Sequence, residues 1–141
     1  MNAAILGYGT VGGGVYEILK DRPDISVKYV LDKAPVAELG AVSVTDFSVI
    51  LNDAEVDTVV EVIGGLHPAY EWVTAAIRAG KNVITANKLL IAAHYRELVE
   101  LAARHGVALR CTAAAGGGIP WLTTLERTIH QEPVVRISGI M

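Results

Sequence analysis

Gly7-Tyr8-Gly9-Thr10-Val11-Gly12 stands between a short apolar run and a helical pattern. The run before it, residues 2–6, has the length and hydrophobicity of a buried strand. After it, apolar side chains recur every three or four residues as far as Leu19, and Arg22 and Pro23 then end the predicted helix. A strand, a glycine-rich turn and a helix in this order open a βαβ unit, so the sequence predicts a sheet of parallel strands.

The spacing of the three glycines fits a loop that binds the pyrophosphate of a dinucleotide. Gly7 permits a tight turn, Gly9 lets the backbone approach the phosphates without a Cβ atom in the way, and Gly12 allows the helix to pack closely on the strand. Thr10 and Val11 lie in the first turn of the helix, where free N–H groups and the positive end of the helix dipole attract phosphate. We therefore predict that these five residues bind a dinucleotide cofactor.

An acidic residue completes the pattern. Asp32 follows the second predicted strand, residues 25–31, and stands about 20 residues beyond Gly12, where a carboxylate accepts hydrogen bonds from the adenine ribose hydroxyls and repels a ribose 2′-phosphate. NAD is therefore the expected cofactor, although Lys33 would allow NADP by pairing with that phosphate. In the alternative interpretation the glycines only build a turn and Asp32 is solvated, but the spacing and the context favour a cofactor.

Strands and helices alternate through the rest of the chain. Further strands are predicted at 58–63, 82–85, 107–112 and 134–140,. Further helices are predicted at 46–53 with Asp46 as the cap, at 68–79, in the stretch that ends at Gly106, and at 120–130,. Because parallel neighbours need crossover connections, this order predicts an α/β fold of Rossmann type, a doubly wound and mostly parallel sheet with helices on both faces. One such domain accounts for residues 1–141.

The loops after the later strands carry groups suited to a ligand. Ligands of such sheets bind outside the carboxyl ends of the strands, and Gly64-Gly65, Thr85-Ala86-Asn87-Lys88 and residues 115–120 all follow predicted strands. Glycines bring bare backbone against a cofactor, and the amide and ammonium of the second segment suit its nicotinamide end. Lys88 would hold a substrate carboxylate or assist proton transfer at a carbonyl. A solvated lysine at a helix start explains it equally well, and the residue types alone leave both interpretations open.

Aromatic side chains near these loops have structural explanations as well. His67 follows Gly65 at the same edge and would touch the cofactor, yet a residue that enters a helix ahead of Pro68 explains it equally well. Trp72 and Trp121 lie on predicted helices, and we expect them to pack rather than to stack on a base.

The composition limits the classes of function. With 141 residues, of which 52% are hydrophobic, the chain is long and apolar enough for one domain with a core,. A net charge of −3 provides no basic field for nucleic acid,. No apolar stretch reaches the roughly 18 residues of a membrane helix.

Cys111 stands alone, so we expect neither a disulfide nor a cysteine metal site. Since the sequence also has no signal-like segment, it predicts a soluble cytoplasmic protein.

Four segments, in this order and at this approximate spacing, resemble the homoserine dehydrogenase family: GYGTVG, EVIGG, VITANK and AAAGGGIP. The resemblance covers essentially the whole chain. Its specific part is TANK, followed by a helix that ends in HGV and then by GGIP, because many dehydrogenases share the glycine loop.

The resemblance implies an oxidoreductase that interconverts homoserine and aspartate semialdehyde by hydride transfer with NAD or NADP. This reaction belongs to the biosynthesis of the aspartate-derived amino acids threonine and methionine. Lys88 matches a family lysine assigned to catalysis or substrate binding. Family positions that line the nicotinamide cofactor match Gly64, Gly65, Thr85, Asn87 and Lys88 in this sequence.

The resemblance also implies a sodium ion near the hinge of the enzyme. The family loop that holds this ion with backbone carbonyls matches residues 113–120, which makes Ala115, Gly117 and Ile119 the candidate ligands. Thr112 stands where the family has a glutamate of that site.

Departures from the family concern the cofactor and the length. Leu31 stands where many members that use NADP carry an arginine. Residues 138–141 resemble the strand that leads, in complete members, into a substrate and dimerisation domain, so we expect that domain to be absent here. The complete enzyme would be a homo-oligomer, and the present chain alone would bind nucleotide without turnover.

Two other functions fit parts of the sequence. Residues 76–83 also resemble the glucose-fructose oxidoreductase group, although Asn87-Lys88-Leu89 replaces the glutamate-lysine-proline segment that usually continues there. A standalone module that senses NAD(P)H and regulates a partner would have the same fold.

Overall fold

Six parallel strands form a single sheet in the computed structural model, which describes residues 1–131 and 133–138. The strands are β1 (Asn2–Leu6), β2 (Ser26–Leu31), β3 (Ser43–Val44), β4 (Thr58–Glu61), β5 (Asn82–Thr85) and β6 (Leu109–Arg110). Their order across the sheet is β3-β2-β1-β4-β5-β6. The chain builds outward from β1 to one edge and then crosses back to β4, which is the doubly wound topology that the sequence predicts.

Within the described residues, five α-helices accompany the sheet. They are α1 (Thr10–Leu19), α2 (Phe47–Asn52), α3 (Ala69–Arg78), α4 (Lys88–His105) and α5 (Trp121–Thr128), and two 3₁₀ helices cover Ala37–Val42 and Thr112–Ala114. Asp46 caps α2 as predicted, because its side chain accepts a hydrogen bond from Ser48 N at 2.8 Å. Gly106 ends α4 in the left-handed conformation, which a glycine adopts at little cost,. None of the described helices combines the length and the hydrophobicity needed to span a membrane.

Both faces of the sheet are covered, as the alternating side chains of β1 show. Ala4 and Leu6 lie in a large apolar cluster with side chains from α2, α3 and α4. Ile5 lies in a smaller cluster on the other face, against Val15 and Tyr16 of α1. A strand segment that is buried on both sides has to be apolar, which explains the apolar run from Ala3 to Leu6,.

The strand register brings the later loops to one edge. Leu6 pairs with Leu31 on one side and with Glu61 on the other, and Glu61 pairs with Thr85. β1, β2, β4 and β5 therefore end at the same level. The loops that follow these four strands meet at the carboxyl edge of the sheet, where ligands of this fold bind.

The edge strands differ from the prediction. The sequence does not predict β3, because two residues are too short a run to show alternation. At the other edge, the strand predicted at 107–112 is only Leu109–Arg110.

The strand predicted at 134–140 is wrong for its described part, since residues 133–138 have no regular structure and Val135 is 94% exposed. Residues 139–140 lie outside the described residues. An apolar run becomes a strand only where a neighbour packs and pairs with it.

Candidate nucleotide-binding site

The glycine loop connects β1 to α1 and packs against the segment after β4. Gly7 has a φ of +101°, and a Cβ atom there would lie 2.8 Å from Ile63 Cγ2. A Cβ atom on Gly12 would lie 1.9 Å from the carbonyl oxygen of Gly7. The position of Gly9 is different, because nothing lies within 4 Å of the place of its missing Cβ atom. The fold itself thus requires Gly7 and Gly12, whereas Gly9 leaves open space in front of the loop.

The amino terminus of α1 is uncapped. The helix begins at Thr10 after Gly9, no side chain caps it, and its first turn holds no acidic residue. The first N–H groups of a helix have no partner within it, and together with the helix dipole they attract an anion. Thr10 and Val11 are both exposed, so the residues predicted to bind the pyrophosphate lie at the surface.

Asp32 is tied to the glycine loop. Its Oδ2 accepts a hydrogen bond from Tyr8 N at 2.7 Å, and its Oδ1 accepts one from Lys33 N at 2.6 Å. The side chain is half-buried. Each carboxylate oxygen keeps a further lone pair, so the group is held in place to accept hydrogen bonds from hydroxyls. Sequence reasoning located Asp32 but missed the bond from Tyr8, because that contact depends on the tertiary path of the chain.

A cleft of about 510 Å³ opens between these elements, a size typical of ligand sites,. Its walls come from the glycine loop, the tip of β2, the segment after β4 and the region around the start of α3. The lining residues are Gly7, Tyr8, Gly9, Leu31, Asp32, Lys33, Thr45, Val62, Ile63, Gly64, His67, Pro68 and Trp72. The cleft therefore brings together Gly7, Gly9, Asp32 and Gly64 of the predicted site.

Several lining residues were not predicted to take part. Tyr8 is one of them, and desolvation together with the nearby carboxylate of Glu38 raises the pKa of its hydroxyl. Trp72 packs as expected, with its ring stacked on Phe47 at a centroid distance of 5.2 Å, yet it also lines the cleft. Thr45 carries no signal in the sequence, because it reaches the cleft only through the short strand β3.

The residues predicted at the nicotinamide end lie after β4 and β5. Gly64 and Gly65 have φ values of +72° and +73°. Thr85 and Asn87 are buried, and Asn87 Nδ2 donates to the carbonyl oxygen of Gly65 at 2.6 Å, which joins the two loops. Lys88 is the exposed first residue of α4. Of these five residues, Gly64 lines the cleft. The other four belong to the loops beside it and do not line it.

Sequence reasoning missed one residue of this group. Glu61 is fully buried at the end of β4, and its Oε2 accepts a hydrogen bond from the Thr85 hydroxyl at 2.5 Å. The signal in the sequence is a single charged residue in a buried strand, directly after Val59 and Val60.

The predicted sodium ligands lie in a different place. Ala115 lines a second cleft, of about 710 Å³, together with side chains of α4 and α5. The carbonyl oxygens of Ala115 and Ile119 already accept hydrogen bonds from the side chain and the backbone of Trp121, at 2.7 and 2.9 Å. No acidic residue stands between Thr112 and Pro120, and the described part of the chain holds no cluster of three His, Cys, Asp or Glu side chains. Each of the two carbonyl oxygens keeps a second lone pair, so a sodium ion at this loop stays a prediction.

A doubly wound parallel sheet, a glycine loop with an open helix terminus and a carboxylate at the tip of β2 define a dinucleotide-binding Rossmann domain. The sequence profile of the family described as "Homoserine dehydrogenase, NAD binding domain" matches residues 7–112. The chain belongs to this family, and its cofactor is a nicotinamide dinucleotide.

Proteins of known identity resemble the chain over most of its length. Homoserine dehydrogenase from Lactococcus lactis subsp. lactis is 36% identical, over 100% of this chain and 37% of its own length. The crystal structure of a homoserine dehydrogenase from Thiobacillus denitrificans superposes with a TM-score of 0.84 at 34% identity, over 93% of this chain and 33% of that one. GenD2 from gentamicin A biosynthesis, solved in complex with NAD, superposes with a TM-score of 0.70 at 27% identity, over 79% of this chain and 34% of that one.

These similarities confirm the predicted fold and family. They do not favour the glucose-fructose oxidoreductase group or a standalone sensing module. The chain spans about one third of the length of the relatives that it matches.

Proposed function

We propose that this chain is the cofactor-binding domain of an enzyme that interconverts homoserine and aspartate semialdehyde by hydride transfer, and that it binds NAD in preference to NADP. Residues 1–141 form one domain in this proposal, and the substrate and dimerisation domain lies outside them. The family and the greater length of the relatives support the reaction and the second domain. The position of Asp32 supports the choice of NAD.

Asp32 is the observation that carries the preference for NAD. Its carboxylate lines the cleft and accepts hydrogen bonds from two backbone N–H groups, so it cannot turn away without losing both. Free ribose hydroxyls donate to a carboxylate held in this way, whereas a 2′-phosphate would bring two negative groups together. Leu31, which precedes Asp32, is 2% exposed and offers no cation to that phosphate. Binding of NADP would require the neighbouring Lys33 to pair with the 2′-phosphate.

The glycine loop would hold the pyrophosphate. Gly9 leaves the necessary space, the amides at Thr10 and Val11 supply donors, and Gly7 and Gly12 keep the turn tight. Phosphate at a helix amino terminus needs no charged side chain in this position.

The loops after β4 and β5 would hold the nicotinamide end. Gly64 lines the cleft, and Asn87 and Gly65 join the two loops. Lys88 stands exposed in the first turn of α4, where its ammonium opposes the helix dipole,. We assign Lys88 to the substrate, because its charge suits the homoserine carboxylate and its protons suit a carbonyl that is being reduced. The reduced dinucleotide would supply a hydride to the semialdehyde, and the oxidised form would accept one from homoserine. The residues of these loops would orient the nicotinamide.

Three further expectations stay predictions. The homo-oligomer is expected of the complete enzyme, and the cytoplasmic location is an expectation from the sequence. A sodium ion at Ala115, Gly117 and Ile119 also stays a prediction, since the carbonyls of Ala115 and Ile119 each accept one hydrogen bond from Trp121 and keep a second lone pair,.

Calorimetric titration of the chain with NAD and NADP, at matched ionic strength, tests the proposal. We expect tighter binding of NAD in the wild type. A hydrogen bond to a charged group contributes about 1.5–3 kcal/mol, so Asp32→Ala should weaken NAD binding roughly 10- to 100-fold, and it should weaken NADP binding less.

Lys33→Ala is the matched control at the neighbouring position, and it should affect NADP more than NAD. An equal loss of both nucleotides in Asp32→Ala would contradict the ribose assignment. A wild-type chain that binds neither nucleotide would overturn the proposed function.

A further inference from the structure

A buried carboxylate joins the two loops assigned to the nicotinamide end of the cofactor. We propose that this residue, Glu61, is a positioning residue, which fixes the loops after β4 and β5 without touching the cofactor. The inference rests on the proposed function, because it takes a nicotinamide dinucleotide as the ligand.

Glu61 faces donors only. Its Oε1 accepts a hydrogen bond from Ile63 N at 3.0 Å and lies 3.4 Å from Asn87 Nδ2, and its Oε2 accepts from the Thr85 hydroxyl at 2.5 Å. None of the ion pairs within residues 1–131 and 133–138 involves Glu61. Burying a carboxylate without a cation costs free energy that an apolar residue would not cost. Its hydrogen bonds to the loops are therefore the reason for its presence in an apolar strand.

The contacts of Glu61 continue into both loops. Thr85 Oγ1 accepts a hydrogen bond from Asn87 N at 3.0 Å, and Asn87 Nδ2 donates to the carbonyl oxygen of Gly65 at 2.6 Å. Asn87 also caps α4 with its Oδ1, and Lys88 is the first residue of that helix. The network thus holds the Gly65 backbone on one side and the start of α4, with Lys88, on the other.

A glutamine cannot make all the hydrogen bonds that the carboxylate makes in this network. Its amide has one oxygen, so its NH₂ group would face either the Ile63 N–H or the Thr85 hydroxyl. If the NH₂ group faced Thr85 Oγ1, the Thr85 O–H would lose its acceptor, and Asn87 cannot turn over because its oxygen caps α4,. We therefore expect Glu61→Gln to loosen both loops while the adenine end at Asp32 stays intact.

Calorimetric titration of the 141-residue chain with NAD and with ADP-ribose, which lacks the nicotinamide ring, separates positioning from stability. For the loss of one buried charged hydrogen bond, we expect Glu61→Gln to weaken NAD about tenfold and ADP-ribose less than about twofold. Thr85→Val removes the hydroxyl and should reproduce this pattern. Thr85→Ser keeps the hydroxyl and should recover most of the NAD affinity that Thr85→Val loses, which would assign that loss to the hydroxyl.

Ile77→Val is the stability control, since Ile77 is fully buried in α3 and is not part of the network. This variant should unfold at a lower temperature and keep the wild-type ratio of the two affinities. If Glu61→Gln and Thr85→Val bind NAD like the wild type, or lose NAD and ADP-ribose equally, the inference is overturned while the proposed function stands. If the wild type binds neither ligand, the proposed function falls and the inference falls with it. If Glu61→Gln does not fold, the two Thr85 variants decide.

Discussion

Gly9 and Gly12 belong to the same loop, yet they are glycines for different reasons. A Cβ atom on Gly12 would collide with the backbone of Gly7, whereas a Cβ atom on Gly9 would contact no other part of the protein. The fold therefore explains Gly12. Gly9 is explained only by something that approaches the loop from outside, which in a nucleotide site is the pyrophosphate.

Alanine at these two positions should separate folding from binding. We expect Gly12→Ala to lower the free energy of unfolding by about 1–3 kcal/mol or more, because the added methyl group overpacks the turn. Gly9→Ala should keep the wild-type Tm and lose NAD binding, because its methyl group occupies space that the phosphates need. Thermal unfolding and calorimetric titration measure the two effects. Wild-type NAD affinity in Gly9→Ala would place the pyrophosphate elsewhere.

Local geometry decides which residues of the site the sequence can reveal. The three glycines and Asp32 have a fixed spacing, because one strand, one turn and one helix set the distances between them. Glu61 is different, since its partner Thr85 stands 24 positions later and meets it only through the register of two strands. The contact between Asp32 and Tyr8 has the same origin.

At the scale of elements, an ionic cluster joins the end of α2 to β2. Lys28 Nζ lies 2.9 Å from Asp53 Oδ2, the Tyr29 hydroxyl donates to the same oxygen at 2.9 Å, and Glu55 N donates to Oδ1 at 2.8 Å. The Lys28 ammonium, followed by the Glu55 N–H, lowers the pKa of Asp53 from 3.8 to about 2. In turn, the carboxylates of Glu55 and Asp53 raise the pKa of Lys28.

This cluster predicts a specific acid sensitivity. Because the pKa of Asp53 is lower in the folded state, its ionised form stabilises the fold above a pH of about 4, and this contribution is lost as the pH falls toward about 2,. We expect Asp53→Asn to have a lower Tm than the wild type near neutral pH. The difference between the two Tm values should shrink through that window, as thermal unfolding at a series of pH values would show. A constant difference would mean that Asp53 does not titrate as a paired carboxylate.

The elements themselves are predictable where burial is complete. β1, β2, β4 and β5 lie close to their predicted bounds, because strands inside a parallel sheet must be apolar on both faces,. β3 and β6 have two residues each, and their neighbours rather than their own patterns make them strands. The segment 134–138, with Val134, Val135 and Ile137, shows the converse, since it pairs with no strand in the described structure.

At the scale of the whole molecule, the groups gathered at the carboxyl edge suit the cofactor better than the substrate. The cleft, the open terminus of α1 and Asp32 all suit nucleotide binding. Lys88 is the one predicted residue with a role toward the substrate. The relatives are about three times as long as this chain, which leaves ample sequence for a substrate pocket.

Turnover should therefore require the rest of the enzyme. We expect the 141-residue chain to bind NAD yet to form NADH from homoserine no faster than a reaction without protein, because nothing orients the substrate against the nicotinamide. Fusion to the carboxyl-terminal two thirds of a full-length relative should restore NADH formation, measured by its absorbance. In that fusion, Lys88→Ala should keep NAD binding and lose most of the turnover, whereas a merely solvated lysine would leave both unchanged. Homoserine oxidation by the isolated chain would show that residues 1–141 already hold a complete active site.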